Sequence, residues 1–450
     1  MRLKRALVFI GLFLLATTGA YADLQRTNYK NGLSLIVEED HSAPVAMVQI
    51  WLKVGGRDEL PGKTGLAHVF EHMMFKGSKK LQPGEYSKII SAMGGNDNAF
   101  TSTDYTAYFE TVPAKEVKKV LTMEAERFAN LKLRAEDFAS EINVIMEERR
   151  MRTEDDPNSR MYEELSAASL RLHPYRNPVI GWMQDLEALT IEDVKAFYKK
   201  HYVPGNVTVV VVGDVDFNQV EKVVKQTFGR LKKRDVEPRF NPSEPEPLGP
   251  KRVEVRLPAQ LPMMAFTMPV PSWKPHKNDQ EVAALALATE MMSGGKSAVI
   301  NQVLVNEKRV AVSAGSGYDP FAMGLDLWYA YGSIGIGQPV EKFEKEFWSL
   351  MKKMGETMPD SRKFEAAKRR LIASTVFAQD SLYLRAKHIG ILETVGIGAG
   401  EKDRWLDLIR EVKPEQVRDV IKKWIQPHRT TTGILLPEQA SAMNRQGGAK

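Results

Sequence analysis

Cysteine is absent from all 450 residues. That excludes disulfides, thiol catalysis and a lipid anchor on cysteine, and it fits an oxidising compartment without establishing one. A strong charge bias is missing too. The formal net charge is +6; Arg2, Lys4 and Arg5 supply three of those charges and no acid precedes Asp23, so the rest of the chain carries +3. Basic clusters such as Lys79-Lys80 and Lys232-Lys233-Arg234 are interspersed with acids, which is the pattern of solvated faces and not of a nucleic-acid footprint. Beyond the N-terminus no apolar run approaches the ~20 residues of a helical membrane span.

What is present begins with a leader. Arg2, Lys4 and Arg5 precede an apolar run from Ala6 to Ala16, and Ala20-Tyr21-Ala22 is a small-x-small cleavage site. This tripartite pattern predicts a secretory signal peptide over 1–22 and a mature chain, without a span, in the periplasm or outside the cell. An uncleaved anchor is the alternative.

The most informative stretch is His68-Val69-Phe70-Glu71-His72. Two imidazoles four apart on a helix point the same way and can grip one zinc ion, while Glu71 between them is placed to take a proton from a metal-bound water. Thr64 is the expected cap, Leu66, Ala67, Val69, Phe70, Met73 and Met74 the apolar face, and Gly77 the stop. A chance cluster on a solvated face is the competing reading, but imidazoles among apolar neighbours need a polar partner or a metal.

A catalytic zinc site usually has three protein ligands. The spacing predicts a second helix from Ala135 to Thr153, ending before Pro157. Glu141, Ile145 and Glu148 share one of its faces, whereas Glu147 is turned about 100° away. Glu148 is therefore the expected third ligand, and Glu141, one heptad earlier, is placed to orient a histidine or the ligand carboxylate. Taken without the histidines, these glutamates would read as a solvated helix face. Gly94 and Gly95 break a helical run, and Phe100 to Phe109, rich in Thr, Tyr and Phe, favours a strand. If that strand lies at an edge, its unpaired backbone groups can receive an extended peptide; an ordinary core strand is the plainer reading.

These residues resemble the pitrilysin-type inverted zincins, the metallopeptidases that include the mitochondrial processing peptidases and insulin-degrading enzyme. His68, Glu71, His72, Glu141 and Glu148 fall on the family's H-x-x-E-H and E-x6-E pattern, and Gly94 to Tyr108 looks like its G-G-x-x-N-A-x-T-x-x-[DE]-x-T-x-Y segment. The resemblance implies a zinc endopeptidase with Glu71 as base and Glu141 in support. It also implies substrate binding along Asn98, Ala99, Phe100 and Thr101, and an α+β fold of two homologous domains forming half of a clamshell chamber.

The duplication is also visible directly. Glu192, Val194, Lys199, Lys200, Pro204 and Thr208 recur 223 residues later as Glu415, Val417, Lys422, Lys423, Pro427 and Thr431. In each copy a helix leads through Pro into a strand, Val207 to Gly213 or Thr430 to Leu436. Each half should then be a sheet with helices on one side. Five prolines between Glu237 and Pro250 mark a spacer, giving domains at 23–236 and 251–438 and a flexible tail at 439–450.

The second half lacks the chemistry: no H-x-x-E-H recurs, and His276, His388 and His428 stand alone. By resemblance, the junction after Ser293-Gly294-Gly295-Lys296-Ser297 should carry an Arg and a Tyr that hold substrate near zinc. Val305 and Val312 occupy those positions. This departure points to a catalytic chain completed by a homologous, histidine-poor partner. A self-sufficient homodimer, with Arg309 and Tyr318 substituting, and a non-catalytic assembly subunit are the alternatives.

Overall fold

Two mixed sheets built on one plan organise the chain in this computed structural model, which describes residues 24–295 and 298–438. The expected leader and tail, together with Lys296 and Ser297, lie outside the described residues. The first sheet holds β1 (Gln25–Asn28), β2 (Ser34–Glu39), β3 (Val45–Leu52), β4 (Asn96–Thr101), β5 (Thr106–Pro113) and β6 (Val207–Gly213) in the order β1-β2-β6-β3-β5-β4. The second holds β7 (Lys251–Leu257), β8 (Met263–Pro271), β9 (Ser313–Gly317), β10 (Leu325–Ser333) and β11 (Thr431–Pro437) in the order β7-β11-β8-β10-β9. Apart from β1, every strand has a counterpart. The parallel pair β2–β6 is answered by β7–β11, and the other neighbours are antiparallel in both sheets. Helix Ile191–His201 recurs as Pro414–Trp424 at the displacement of 223 that the sequence shows.

Each sheet buries one face under its own helices. Strand β6, Val207–Gly213, is buried along its whole length, as a continuous apolar run at a sheet centre requires. The expectation of helices on one side only is corrected by the other faces. Helix Leu382–Thr394, from the second half, lies across β3 and β6 of the first sheet and packs Ala386 and Ile389 against Ile36, Met47, Trp51, Val210 and Val212. Helix Pro157–Ser169, from the first half, covers β7, β8 and β11 and packs Met161 and Leu165 against Met263, Ala265 and Leu435. The two are repeat equivalents, each thirteen residues long. The halves thus exchange one helix each, because either sheet alone would leave an apolar face in water. Gly390 makes the approach possible, since a Cβ there would stand 1.9 Å from the Trp51 ring.

A polar lock joins the halves beside this exchange. Buried Arg57 bonds Asp104 (3.2 Å), the Met323 carbonyl (2.8 Å), the Phe240 carbonyl (2.7 Å) and Asn241 Oδ1 (2.9 Å). Asp104 also accepts from the Tyr175 hydroxyl and the Met323 N–H, while Arg239 pairs with Asp58 through two bonds. The Pro-rich stretch over 237–250 contains no helix or strand, yet it is held down: Glu244 accepts the backbone N–H groups of Arg171, Leu172 and His173.

Inside the first half a charge cluster sits in the core. Arg127 pairs with Glu124 (2.6 Å) and Glu110 (3.5 Å), Tyr86 donates to Glu110 (2.8 Å), and the guanidinium lies 4.0 Å from the Tyr86 ring centroid. Burial, then the neighbouring Glu124 carboxylate, pushes the Glu110 pKa well up. Removing the guanidinium strands two carboxylates in the interior. Arg127→Met should therefore lose about 3–5 kcal/mol of stability in equilibrium denaturation; a loss under about 1 kcal/mol would mean that the carboxyls simply take up protons.

Candidate metal centre

The histidine motif forms a helix of two turns, Leu66–Met73, with Leu66, Ala67, Val69, Phe70 and Met73 buried in the core of the first half. Its start differs from expectation. The cap position belongs to Gly65, at φ +85°, and Thr64 instead donates to Asp185 (2.5 Å) and accepts from the Trp182 N–H (2.9 Å). Gly65 is required because a Cβ would stand 2.6 Å from the Ile180 carbonyl oxygen. The free N–H groups are taken by Glu59, whose carboxylate accepts from Gly65 (2.8 Å) and Ala67 (2.7 Å). The helix stops at Met73, before Gly77, which has φ +94°.

The second helix spans Ala135–Arg149 and passes into a π-helical turn, Arg150–Glu154, ahead of Pro157. Glu141 and Ile145 are buried on the face that also presents Glu148, while exposed Glu147 pairs with Arg150, as the helix period requires. One ligand atom from each of His68, His72 and Glu148 lies within 4.8 Å of the others. Glu148 Oε1 is 3.9 Å from His68 Nε2, and Oε2 is 3.5 Å from His72 Nε2. The other nitrogen of His72, Nδ1, lies 3.0 Å from Glu141 Oε1, and Lys76 pairs with the second Glu141 oxygen. Arg152, on the π turn, holds Glu148 Oε1 at 2.7 Å.

The electrostatics suit a cation bound by these groups. Burial, then the charges of His72 and Arg152, pushes the His68 pKa down to about 3, so its ring is neutral. Its Nδ1 is buried without a hydrogen-bond partner, and Nε2 is the nitrogen that faces Glu148 and is open to a cation. Burial raises the Glu71 carboxyl pKa, against the opposing hydrogen bond from Thr101. Burial also acts upward on Glu141, but the bonds to His72 and Lys76 prevail and hold its pKa below the usual value. Two imidazoles, one carboxylate and an adjacent carboxyl base form a donor set that fits zinc.

The expected single strand from Phe100 to Phe109 is instead a hairpin. β4 ends at Thr101, residues 102–105 turn, and β5 begins at Thr106, the chain reversing around buried Asp104. β4 is the edge strand of its sheet. The Ala99 N–H meets the adjacent Asn98 Oδ1 (2.8 Å), and Thr101 Oγ1 donates to Glu71 Oε2 (2.5 Å). Phe100 packs on the reverse face against Trp51 and Tyr105, so only its backbone is available to a ligand on the motif side. In the second half Val305 packs on the core and Val312 is exposed beside β9, while the Tyr318 hydroxyl is committed to the Pro271 carbonyl (2.5 Å). Arg309 is exposed, with φ +52°.

Two contacts lay beyond the sequence reading: the Glu59 cap and the Thr101 hydroxyl on Glu71. A cavity of about 870 Å³ opens elsewhere, behind the first sheet, lined by Glu38, Asp40, Phe321, Arg385, His388 and Trp405, and none of the candidate residues line it.

Residues 34–182 match the family described as insulinase (peptidase family M16), and residues 188–371 match the peptidase M16 inactive domain. A zinc protease named PqqE from Helicobacter pylori is 33% identical over 364 residues, covering 78% of this chain and 80% of that one. The crystal structure of a protease from Helicobacter pylori superposes with a TM-score of 0.87 at 29% identity, covering 92% of this chain and all of that one. The periplasmic protease PqqL from Escherichia coli, at 15% identity and a TM-score of 0.76, shares the fold over 92% of this chain and 47% of its own length.

Proposed function

The chain belongs to peptidase family M16, and from that premise we propose that it is the zinc-binding, catalytic chain of an endopeptidase acting on unfolded peptides. The observation that carries this reading is the convergence of His68, His72 and Glu148 within 4.8 Å, beside Glu71 on the same helix. Zinc held by those three residues would supply Lewis acidity toward the scissile carbonyl and a water of lowered pKa.

The remaining steps belong to the chain's own groups. Glu71 takes a proton from the attacking water as oxygen bonds to the carbonyl carbon, then delivers it to the nitrogen when the C–N bond breaks. Thr101 orients that carboxylate through its hydroxyl, and Glu141 fixes the His72 ring. Substrate adds as a strand along Asn98, Ala99, Phe100 and Thr101; rotation of Asn98 frees the Ala99 N–H for a substrate carbonyl. The leader over 1–22 would send the mature chain, beginning at Asp23, to the periplasm or beyond. Among the described residues no helix is long and apolar enough to cross a membrane.

Val305 and Val312 offer no hydrogen bond to a substrate, and Tyr318 is already engaged. A homologous partner chain bringing an Arg and a Tyr would supply that contact, each donor contributing up to a few kcal/mol to the transition state. Assaying the purified chain with and without such a histidine-poor partner tests the reading. Weak hydrolysis alone, raised at least tenfold by the partner, is expected. High activity alone, abolished by Arg309→Ala, would replace the heterodimer with a self-sufficient homodimer; zinc-free chains inactive in every combination would leave a non-catalytic assembly subunit.

A further inference from the structure

We propose that Glu59 is a positioning residue for the metal site, tying the start of the histidine helix to the lock between the two halves; the inference rests on the zinc reading above. The helix is only eight residues long, so its direction depends on how its first turn is held. Its cap position is a glycine with no side chain to offer, and Thr64 is turned away to Asp185 and Trp182. Glu59 does that work from outside the helix, one oxygen accepting from Gly65 and the other from Ala67, the residue before His68.

What holds Glu59 is equally specific. Arg57 is clamped by Asp104, by the linker at Phe240 and Asn241, and by Met323 of the second half. Asp58 is clamped by Arg239 and accepts the Gly55 N–H. Three consecutive side chains therefore reach the second half, the linker and the metal helix in turn. By this route a half that contributes no ligand sets the position of His68 and His72 relative to Glu148, which arrives on a different helix.

The test compares zinc affinity, read by chelator competition, with the unfolding midpoint in the mature protein. Glu59→Gln and the shorter Glu59→Asp, which keeps the carboxyl group but cannot span both N–H groups, should still bind one zinc per chain at saturation, with affinity reduced about 10- to 100-fold. Asp216→Ala, which removes the cap of helix Phe217–Gln226 in the same half, is the control. It should lower the midpoint and leave zinc affinity within about twofold. The proposal is overturned if both Glu59 variants bind zinc like the wild type, or if Asp216→Ala weakens binding as much as they do. Wild-type protein without zinc would remove the metal reading itself, and this proposal with it.

Discussion

Glu71→Gln should retain one zinc per chain and lose peptide hydrolysis by at least about a hundredfold, the usual scale of general-base catalysis. The amide preserves the size of the side chain and can still meet the Thr101 hydroxyl, so the local geometry survives. What disappears is the ability to take a proton. Burial raises the carboxyl pKa here, which makes Glu71 a stronger base than a solvated glutamate; glutamine has no basic form to replace it. The measurement is kcat on an unfolded peptide alongside metal content of the same preparation. Near wild-type turnover would move the base elsewhere.

The second large effect is on the metal. His68→Ala and Glu148→Gln should each abolish stoichiometric zinc, and activity with it, because the described residues offer no other group of three or more such side chains with ligand atoms in reach of one another. Glu147 cannot step in for Glu148, since it points to solvent and pairs with Arg150. Elemental analysis after dialysis reads the loss, and removing zinc from the wild type with a chelator should give the same inactive state, reversed by zinc alone. Full occupancy in Glu148→Gln would show that the third ligand had been assigned to the wrong residue.

The parts of this site that could be read in advance are those governed by local periodicity. His68 and His72 are one helical turn apart, and Glu141 and Glu148 two turns apart, so shared faces follow from the residue spacing alone. The duplication was legible for a similar reason, because a displacement of 223 needs no knowledge of contacts. Thr64 shows the limit. It is a suitable capping residue beside the right helix, yet the left-handed Gly65 turns it toward Asp185, and the cap comes from Glu59 across a loop whose closure no pattern reveals. The run from Phe100 to Phe109 has strand-forming residues throughout, and its Ser102-Thr103-Asp104 reversal was hidden among them. Amphipathic helices announce that they will bury a face without saying against what, so nothing in Leu382–Thr394 pointed to a sheet formed more than 160 residues earlier.

That reciprocal covering has a consequence for how the molecule is made. Once β6 has emerged into the compartment where the chain folds, the first sheet has all its strands, but Trp51, Met47 and Ile36 on its back must stay wet until Thr394 follows, about 180 residues later. An emerging chain would carry a greasy, half-finished sheet through this interval, exposed to holding chaperones and to neighbouring unfolded chains. Cutting the gene at the proline stretch would make the wait permanent, so the two halves have to be born as one polypeptide or meet promptly as two.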